Sequence, residues 1–259
     1  MPNIKIYVVL HGGLGNQLFQ FFRALVIANE NKDYQIFFIE DFLKIYNVPR
    51  QYELDPILEE ISLYKRNVKS SFLIKIRLPK LFAKFILETE PILKIPGYGL
   101  ILDGYFQSLS SYKEVSKESI DGAISLLRKY FIQKSLIAMS DKYEVCHVRL
   151  TDFFKDKVQS RRYVSNFLLS INRDVDIVTD DEILFEDELL KMRLPYQVHV
   201  IPTQDFTAWD LVKLFSRYKK ITSNGSSLAF WASLLSQSTL ETTNKSHHKL
   251  WLFFNGIEV

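Results

Sequence analysis

The sequence predicts an α/β fold of parallel sheets covered by helices on both faces, and three observations predict it. A run of branched apolar residues at 4–10 enters the glycine-rich segment HGGLG, and apolar residues at helical spacing follow (Leu18, Phe19, Phe22, Leu25, Val26). Strand, turn and helix in that order open an α/β unit. Beyond Ser140 short strand-like runs alternate with helical patterns, as repeated βα units do. At 259 residues the chain suits one large domain or two small ones, at about 150 residues each.

Taken in order, the strands are 4–10, 34–39 and 99–103 in the first part. Asn16 opens one helix, and another helical pattern ends near Phe131. Between the second and third strands, 41–98 mixes periods and carries prolines and basic residues, which reads as an irregular or helical insert. In the second part strands fall at 143–148, 176–179, 196–201 and 219–223, with helices at 161–171, 182–192, 206–218 and 226–235. Polarity rises at 132–142, through Gln133, Lys134, Ser135, Ser140, Asp141 and Lys142. The division into 1–135 and 136–259 follows.

Hydrophobic residues make up 47% and charged residues 24%, a globular composition that excludes disorder, collagen and a coiled-coil rod. The lone cysteine, Cys146, excludes an intrachain disulfide and a multi-cysteine metal site and fits a reducing compartment, so the expected location is the cytoplasm. A net charge of +3 is too weak to argue for nucleic acid. The five histidines show no metal-ligand spacing. His11 interrupts the first apolar run, leaving it too short for a signal h-region or a membrane span.

In parallel sheets ligands sit beyond the carboxyl ends of the strands, and three strand ends there carry chemistry. HVRLTDF at 147–153 places His147 and Arg149 on one face by alternation, and Arg149 offers a fixed fork of donors to a phosphate. The alternative is an Arg149–Asp152 ion pair. TDD at 179–181, Thr179, Asp180 and Asp181, could hold a divalent cation beneath a diphosphate or accept from the donor edge of guanine. Alternatively, one aspartate caps the next helix. The turn at 223–227, with Ser223, Asn224, Ser226 and Ser227, could present hydroxyls and helix-end amides to phosphate oxygens, or simply cap a buried helix. In the first part Gly13, Gly15, Asn16 and Gln17 form a glycine turn that permits close backbone approach to a ligand, with Asn16 as cap in the plainer reading. It lacks both the third glycine of a dinucleotide fingerprint and the Walker lysine.

These motifs together resemble the bacterial α-1,2-fucosyltransferases of glycosyltransferase family 11. The resemblance rests on GGLGNQLFQ at 12–20, YELD at 52–55, GYFQS at 104–108 followed by Tyr112, the HxRxxD/F run at 147–153, TDD at 179–181 and the serine- and asparagine-rich motif at 223–231. It implies a GT-B-like fold of two facing Rossmann-like domains, the first on the acceptor side and the second binding the GDP-sugar. It also implies inverting transfer of fucose from GDP-fucose to the 2-hydroxyl of a galactose-type acceptor in glycan or polysaccharide synthesis, with no cofactor and no obligatory metal. Carried onto this chain, His147, Asp180 and Asp181 would help read guanine. Arg149 and the 223–227 turn would hold the diphosphate, while Gly13, Gly15, Asn16 and Gln17 would lie close to the donor. The candidate proton acceptors are Asp152, Asp156 and His11, and Arg149 is the candidate for charge stabilisation in catalysis. Two departures from the family pattern stand out: Leu150 replaces the usual second arginine, and one extra residue separates Asn224 from Trp231.

A relative using another GDP-sugar and a non-catalytic sugar- or nucleotide-binding module are the competing functional readings. Neither needs nucleic acid. Lys75, Arg77, Lys80 and Lys84 alternate with large apolar residues across 72–87. This segment suits peripheral contact with an anionic inner-membrane surface or, more commonly, a core-facing helix pair with snorkelling lysines.

Overall fold

The computed structural model describes residues 4–30, 34–43, 50–58, 64–65, 92–95, 99–133, 140, 142–151 and 153–259. Asp152 and the basic segment 72–87 lie outside the described residues. Contacts divide the chain into two units, one of Met1–Lys134 with Leu252–Val259 and one of Ser135–Trp251.

The first unit grows from β1 (Ile4–Val9), α1 (Leu14–Glu30) and β2 (Tyr34–Ile39), followed by α2 (Asp55–Leu58), β3 (Tyr64–Lys65), β4 (Ile92–Ile95), β5 (Gly99–Asp103) and α3 (Lys117–Gln133). The sheet order is β3-β2-β1-β5-β4. β1 pairs in parallel with β2, Ile6 opposite Ile36, and with β5, Ile6 opposite Leu100. β4 pairs antiparallel with β5, which qualifies the expectation of purely parallel sheets: an edge strand supplied by the insert is free to reverse. Nearly all of α1 is buried, including Phe19, Phe21, Phe22 and Leu25, because its apolar residues spread around the whole helix instead of forming a stripe.

The helix starts earlier than the expected Asn16. The Gly13 carbonyl accepts the Asn16 N–H at 2.9 Å and the Gln17 N–H at 3.1 Å, so Asn16 sits inside the first turn and is not its cap. Gly12 adopts φ +71°, and a Cβ there would meet Asn16 Nδ2 at 2.3 Å.

The second unit is a regular βα series: β6 (Glu144–Val148), α4 (Lys157–Ser170), β7 (Val175–Thr179), α5 (Glu182–Leu189), β8 (Val198–Val200), α6 (Ala208–Phe215), β9 (Lys220–Ser223), α7 (Ser227–Ser236), β10 (Thr239–Thr242) and α8 (Lys245–Phe254). Its sheet has the order β10-β9-β6-β7-β8, and every pair is parallel. On one face Cys146, Val148 and Leu150 pack with Val164 and Leu168 of α4 and with Leu184 and Phe185 of α5. On the other, His147 meets Phe215 of α6 at a centroid distance of 5.0 Å, and α6 packs against α7. Burial, reinforced by the Glu144 carboxylate, pushes the Cys146 thiol up, so Cys146 is a core residue and no nucleophile.

β10 and α8 were not expected. β10 is four residues long and buries only Leu240, too little apolar signal for alternation to register. The sequence division also placed the whole tail in the second domain, whereas Leu252–Val259 belongs to the first unit. There the Phe254 ring lies 5.1 Å from both Phe22 and Tyr112. No helix among the described residues is long and apolar enough to cross a membrane.

Candidate functional site

The chain leaves β6 towards β7 on one side of the sheet, and β9 joins β6 from the other. The helices that follow β6 and β9 cover opposite faces, so the carboxyl ends of these two strands form a topological switch point, where a crevice opens in doubly wound sheets. Arg149 directly follows β6 and Asn224 directly follows β9. Their link is reciprocal: the Arg149 N–H donates to Asn224 Oδ1 at 3.0 Å, and Asn224 Nδ2 donates to the Arg149 carbonyl at 2.7 Å. Asn224 therefore holds the peptide that carries Arg149.

The turn beyond Asn224 is tied down by its own serines. Ser223 Oγ accepts the N–H groups of Gly225 (3.2 Å) and Ser226 (2.9 Å), and Ser226 caps α7 by accepting the Ala229 N–H at 3.2 Å. The N–H groups of Ser227 and Leu228, the first two of the helix, have no intrahelical acceptor and carry the positive end of its dipole. Gly225 sits at φ +117°, and a Cβ there would lie 3.0 Å from Cζ of Phe153. The Arg149 guanidinium lies 5.4 Å from the centre of that same ring. A guanidinium, an aromatic face and a helix N-terminus thus converge on one strand end, a combination suited to an anion attached to a flat or ring-shaped group.

His147, one position before Val148 and opposite Ser223 in the register, is buried. Burial, with Arg149 repelling a second positive charge, holds its imidazole down at about 4 against a smaller opposing pull from Asp180, so it is neutral at pH 7.

The two aspartates of TDD have other partners. Asp180 Oδ1 accepts the Leu150 N–H at 2.6 Å and Asp180 Oδ2 the Thr151 hydroxyl at 2.6 Å, pinning the loop that follows Arg149. Asp181 caps α5 by accepting the Leu184 N–H at 3.1 Å, and Thr179 Oγ1 receives the Asp181 N–H at 3.4 Å. Asp156 caps α4 by accepting the Gln159 N–H at 2.8 Å. These carboxylates shape the strand-end loops. No group of three or more histidine, cysteine, aspartate or glutamate side chains among the described residues is arranged to hold a metal ion. Leu150 is 2% exposed and belongs to the core on the α4 face, so the position after Arg149 is a packing residue.

No family model and no curated protein matches the chain. Among solved structures it is similar to POFUT1 in complex with GDP, at 12% identity and a TM-score of 0.45 over 94% of this chain and 99% of that chain. It is also similar to POFUT1 in complex with GDP-fucose, at 13% identity and a TM-score of 0.45 over 94% and 99%. A third is the E. coli heptosyltransferase WaaC with ADP, at 9% identity and a TM-score of 0.42 over 98% of each chain.

The first unit arranges its predicted residues as a clasp. Gln17 Nε2 donates to the carbonyls of Gly12 (3.0 Å) and Gln51 (2.7 Å), while Gln17 Oε1 accepts the Glu53 N–H at 3.0 Å. Asn16 Oδ1 accepts from Gln107 Nε2 at 2.7 Å, Gly15 is buried, and Gly13 is half-buried at the turn. Burial pushes the Glu53 carboxyl up, while the Leu14 N–H and Arg50 act the other way. The N-terminus of α1 therefore already has a carboxylate from YELD. His11 Nε2 meets Asp103 Oδ1 at 2.7 Å, both buried, at the adjacent ends of β1 and β5.

Sequence reasoning missed His247 on α8. It is 2% exposed, its ring lies 5.6 Å from that of Phe230 on α7, and it feels the Arg149 charge. No local pattern marks it, since α8 itself was not expected. Phe153, a motif residue with no role readable from spacing, lies beside Gly225 and Arg149.

Proposed function

We propose that the chain is an inverting glycosyltransferase that takes GDP-fucose as donor and the 2-hydroxyl of a galactose-type sugar as acceptor. The observation that carries the nucleotide-sugar part is the Arg149–Asn224 clasp beside the N-terminus of α7. The fucose and acceptor assignments rest on the family motifs, GGLGNQLFQ and GYFQS above all. In the proposed reaction the acceptor hydroxyl oxygen displaces GDP at the anomeric carbon, its proton passing to a side-chain base, while negative charge grows on the leaving phosphate. Arg149 and the Ser227 and Leu228 amides stabilise that charge in this reading.

The test is thermal stability of the purified protein in EDTA with GDP, GDP-fucose, UDP and ADP, because a ligand that binds only the folded state raises its stability. A shift with the guanine nucleotides alone, followed by fucose transfer to a galactoside, is the expected result. Absence of any shift at saturating GDP overturns the reading. Arg149→Ala should abolish transfer while leaving the melting midpoint nearly unchanged.

A further inference from the structure

On the α4 side of the second sheet the strands change character from the middle to the edge. Cys146 of β6 stands opposite Thr222 of β9, and Thr222 opposite Glu241 of β10, so the three share the face on which Cys146 and Val148 meet α4. β6 offers that helix apolar side chains, whereas β9 and β10 offer Lys220, Thr222 and Glu241. The helix that follows β10 does not complete the layer, because His247 of α8 packs on Phe230 of α7 and the chain from Leu252 belongs to the first unit. A cleft of about 290 Å³ remains between α4 and the β9–β10 pair, near the lower end of small-molecule sites at roughly 300 Å³. Tyr163, Asn166, Phe167 and Ser170 line it from α4, and their i, i+3, i+4, i+7 spacing makes them one stripe of that helix. The Tyr163 and Phe167 rings stack 6.1 Å apart at 12° as an aromatic wall. Across from them lie Thr222, Glu241 and Thr243, with Asn224 at the end nearest the switch point. Thr222 Oγ1 donates to the Glu144 carboxylate and keeps its lone pairs for a ligand. Lys220 Nζ meets Glu241 Oε2 at 2.5 Å, so that carboxylate is already balanced and can serve as a hydrogen-bond acceptor.

These walls select a ligand class. No lysine or arginine lines the cleft, so a phosphate or sulfate would find no counter-charge there. A hydrocarbon chain would cover an amide, hydroxyls and a carboxylate without pairing them. A ring that is apolar on its face and hydroxylated at its edge answers both walls. We propose that the cleft binds one sugar unit of a neutral glycan, its ring against Tyr163 and Phe167 and its hydroxyls towards Asn166, Thr222 and Glu241. The site goes beyond the donor reading and needs no GDP: it lets the second unit retain a glycan by a sugar other than the one that reacts.

The test is titration of the full chain with lactose, cellobiose and maltotriose, followed by ¹H–¹⁵N spectra, with and without saturating GDP. At least one sugar should shift the side-chain amide of Asn166 and the backbone amides of Thr222 and Thr243 saturably, in the millimolar range and equally with GDP present. Asn166 is exposed, so Asn166→Ala keeps the fold, and losing its hydrogen bond should weaken binding about fivefold. Inorganic phosphate and octanoate should leave the three signals unmoved. Absence of shifts with all three sugars, equal affinity in Asn166→Ala, or shifts caused by phosphate or octanoate instead would overturn the inference. Displacement of the sugar by GDP would assign the cleft to the donor site and overturn it too, leaving the nucleotide-sugar reading intact. Sugar binding in a protein that GDP does not bind supports this site while the donor reading falls.

Discussion

Replacing Asn224 with alanine tests whether the switch-point geometry depends on the clasp. Asn224 is 4% exposed, and its amide satisfies both the N–H and the carbonyl of Arg149, at 3.0 and 2.7 Å. The substitution leaves two backbone groups without those partners. Each orphaned group costs about 1–3 kcal/mol when buried. Because Arg149 is half-buried, water recovers part of this, and a net loss of about 3 kcal/mol is expected. In a unit of this size that corresponds to a fall of roughly 10 °C in the melting midpoint, readable by near-UV circular dichroism. GDP affinity supplies the second readout. If Asn224 acts by holding Arg149, Asn224→Ala weakens GDP binding in the wild-type background but changes it little once Arg149 is alanine, the non-additivity expected of residues in one network. A midpoint within 2 °C of wild type, or additive losses in the two backgrounds, would refute the reasoning.

Three further outcomes follow from the same geometry. Gly225→Ala forces a side chain into φ +117° and places its Cβ 3.0 Å from Phe153; a loss of about 1–3 kcal/mol is expected in urea unfolding, and a neutral result would show that the turn relaxes freely. Leu150→Arg puts an unpaired charge in the α4-side core, so it should destabilise by about 3–5 kcal/mol instead of tightening GDP binding, which paired melting and binding curves can decide. With the folded-state values of His147 and His247 lowered to about 4, the unfolded chain binds more protons between that value and about 6.5. Ligand-free stability therefore falls as pH drops through this window, by at most about 2 kcal/mol per histidine between pH 7 and pH 5. His247→Gln should flatten that slope, and an equally steep slope in the variant would exclude His247 as its source.

The parts of this architecture legible in the sequence are those dictated by local chemistry. Apolar runs at 34–39 and 99–103 became β2 and β5 with the same limits, since a strand buried in a parallel sheet must be apolar along its length. Helix starts were less legible, because the residue types that cap helices also bind ligands. Asp181 and Ser226 were weighed both ways, and each accepts a helix amide. What local reasoning could not supply was the partner across the fold. The bond from Leu150 to Asp180 spans 30 residues and the Asn224–Arg149 link 75, and no spacing within either motif encodes them. His247 belongs to the same class, since only the path of the chain through β10 brings it beside Phe230 and within reach of the Arg149 charge.

The most recognisable stretch of the chain, GGLGNQLFQ, shows why a signature and a contact surface are different things. Gln17 and Gln20 are fully buried. Gln17 ties the 12–13 turn to the 51–53 segment, and Gln20 ties the His11 N–H, at 3.0 Å, to the Gly104 carbonyl, at 3.1 Å. YELD and GYFQS are thus the segments that these glutamines hold, and the three motifs form one hydrogen-bonded assembly in the first unit. Buried amides that serve backbone groups on two loops at once cannot be exchanged for apolar residues without orphaning several polar atoms. That constraint acts on the glutamines whatever the loops bind. The glycines carry the remaining freedom: Gly12 turns the chain at positive φ, and Gly13 leaves a Cβ-sized space beside the Glu53 carboxylate. The part of this motif able to meet a ligand is therefore its backbone and Asn16, while its glutamines set the positions of the loops around them.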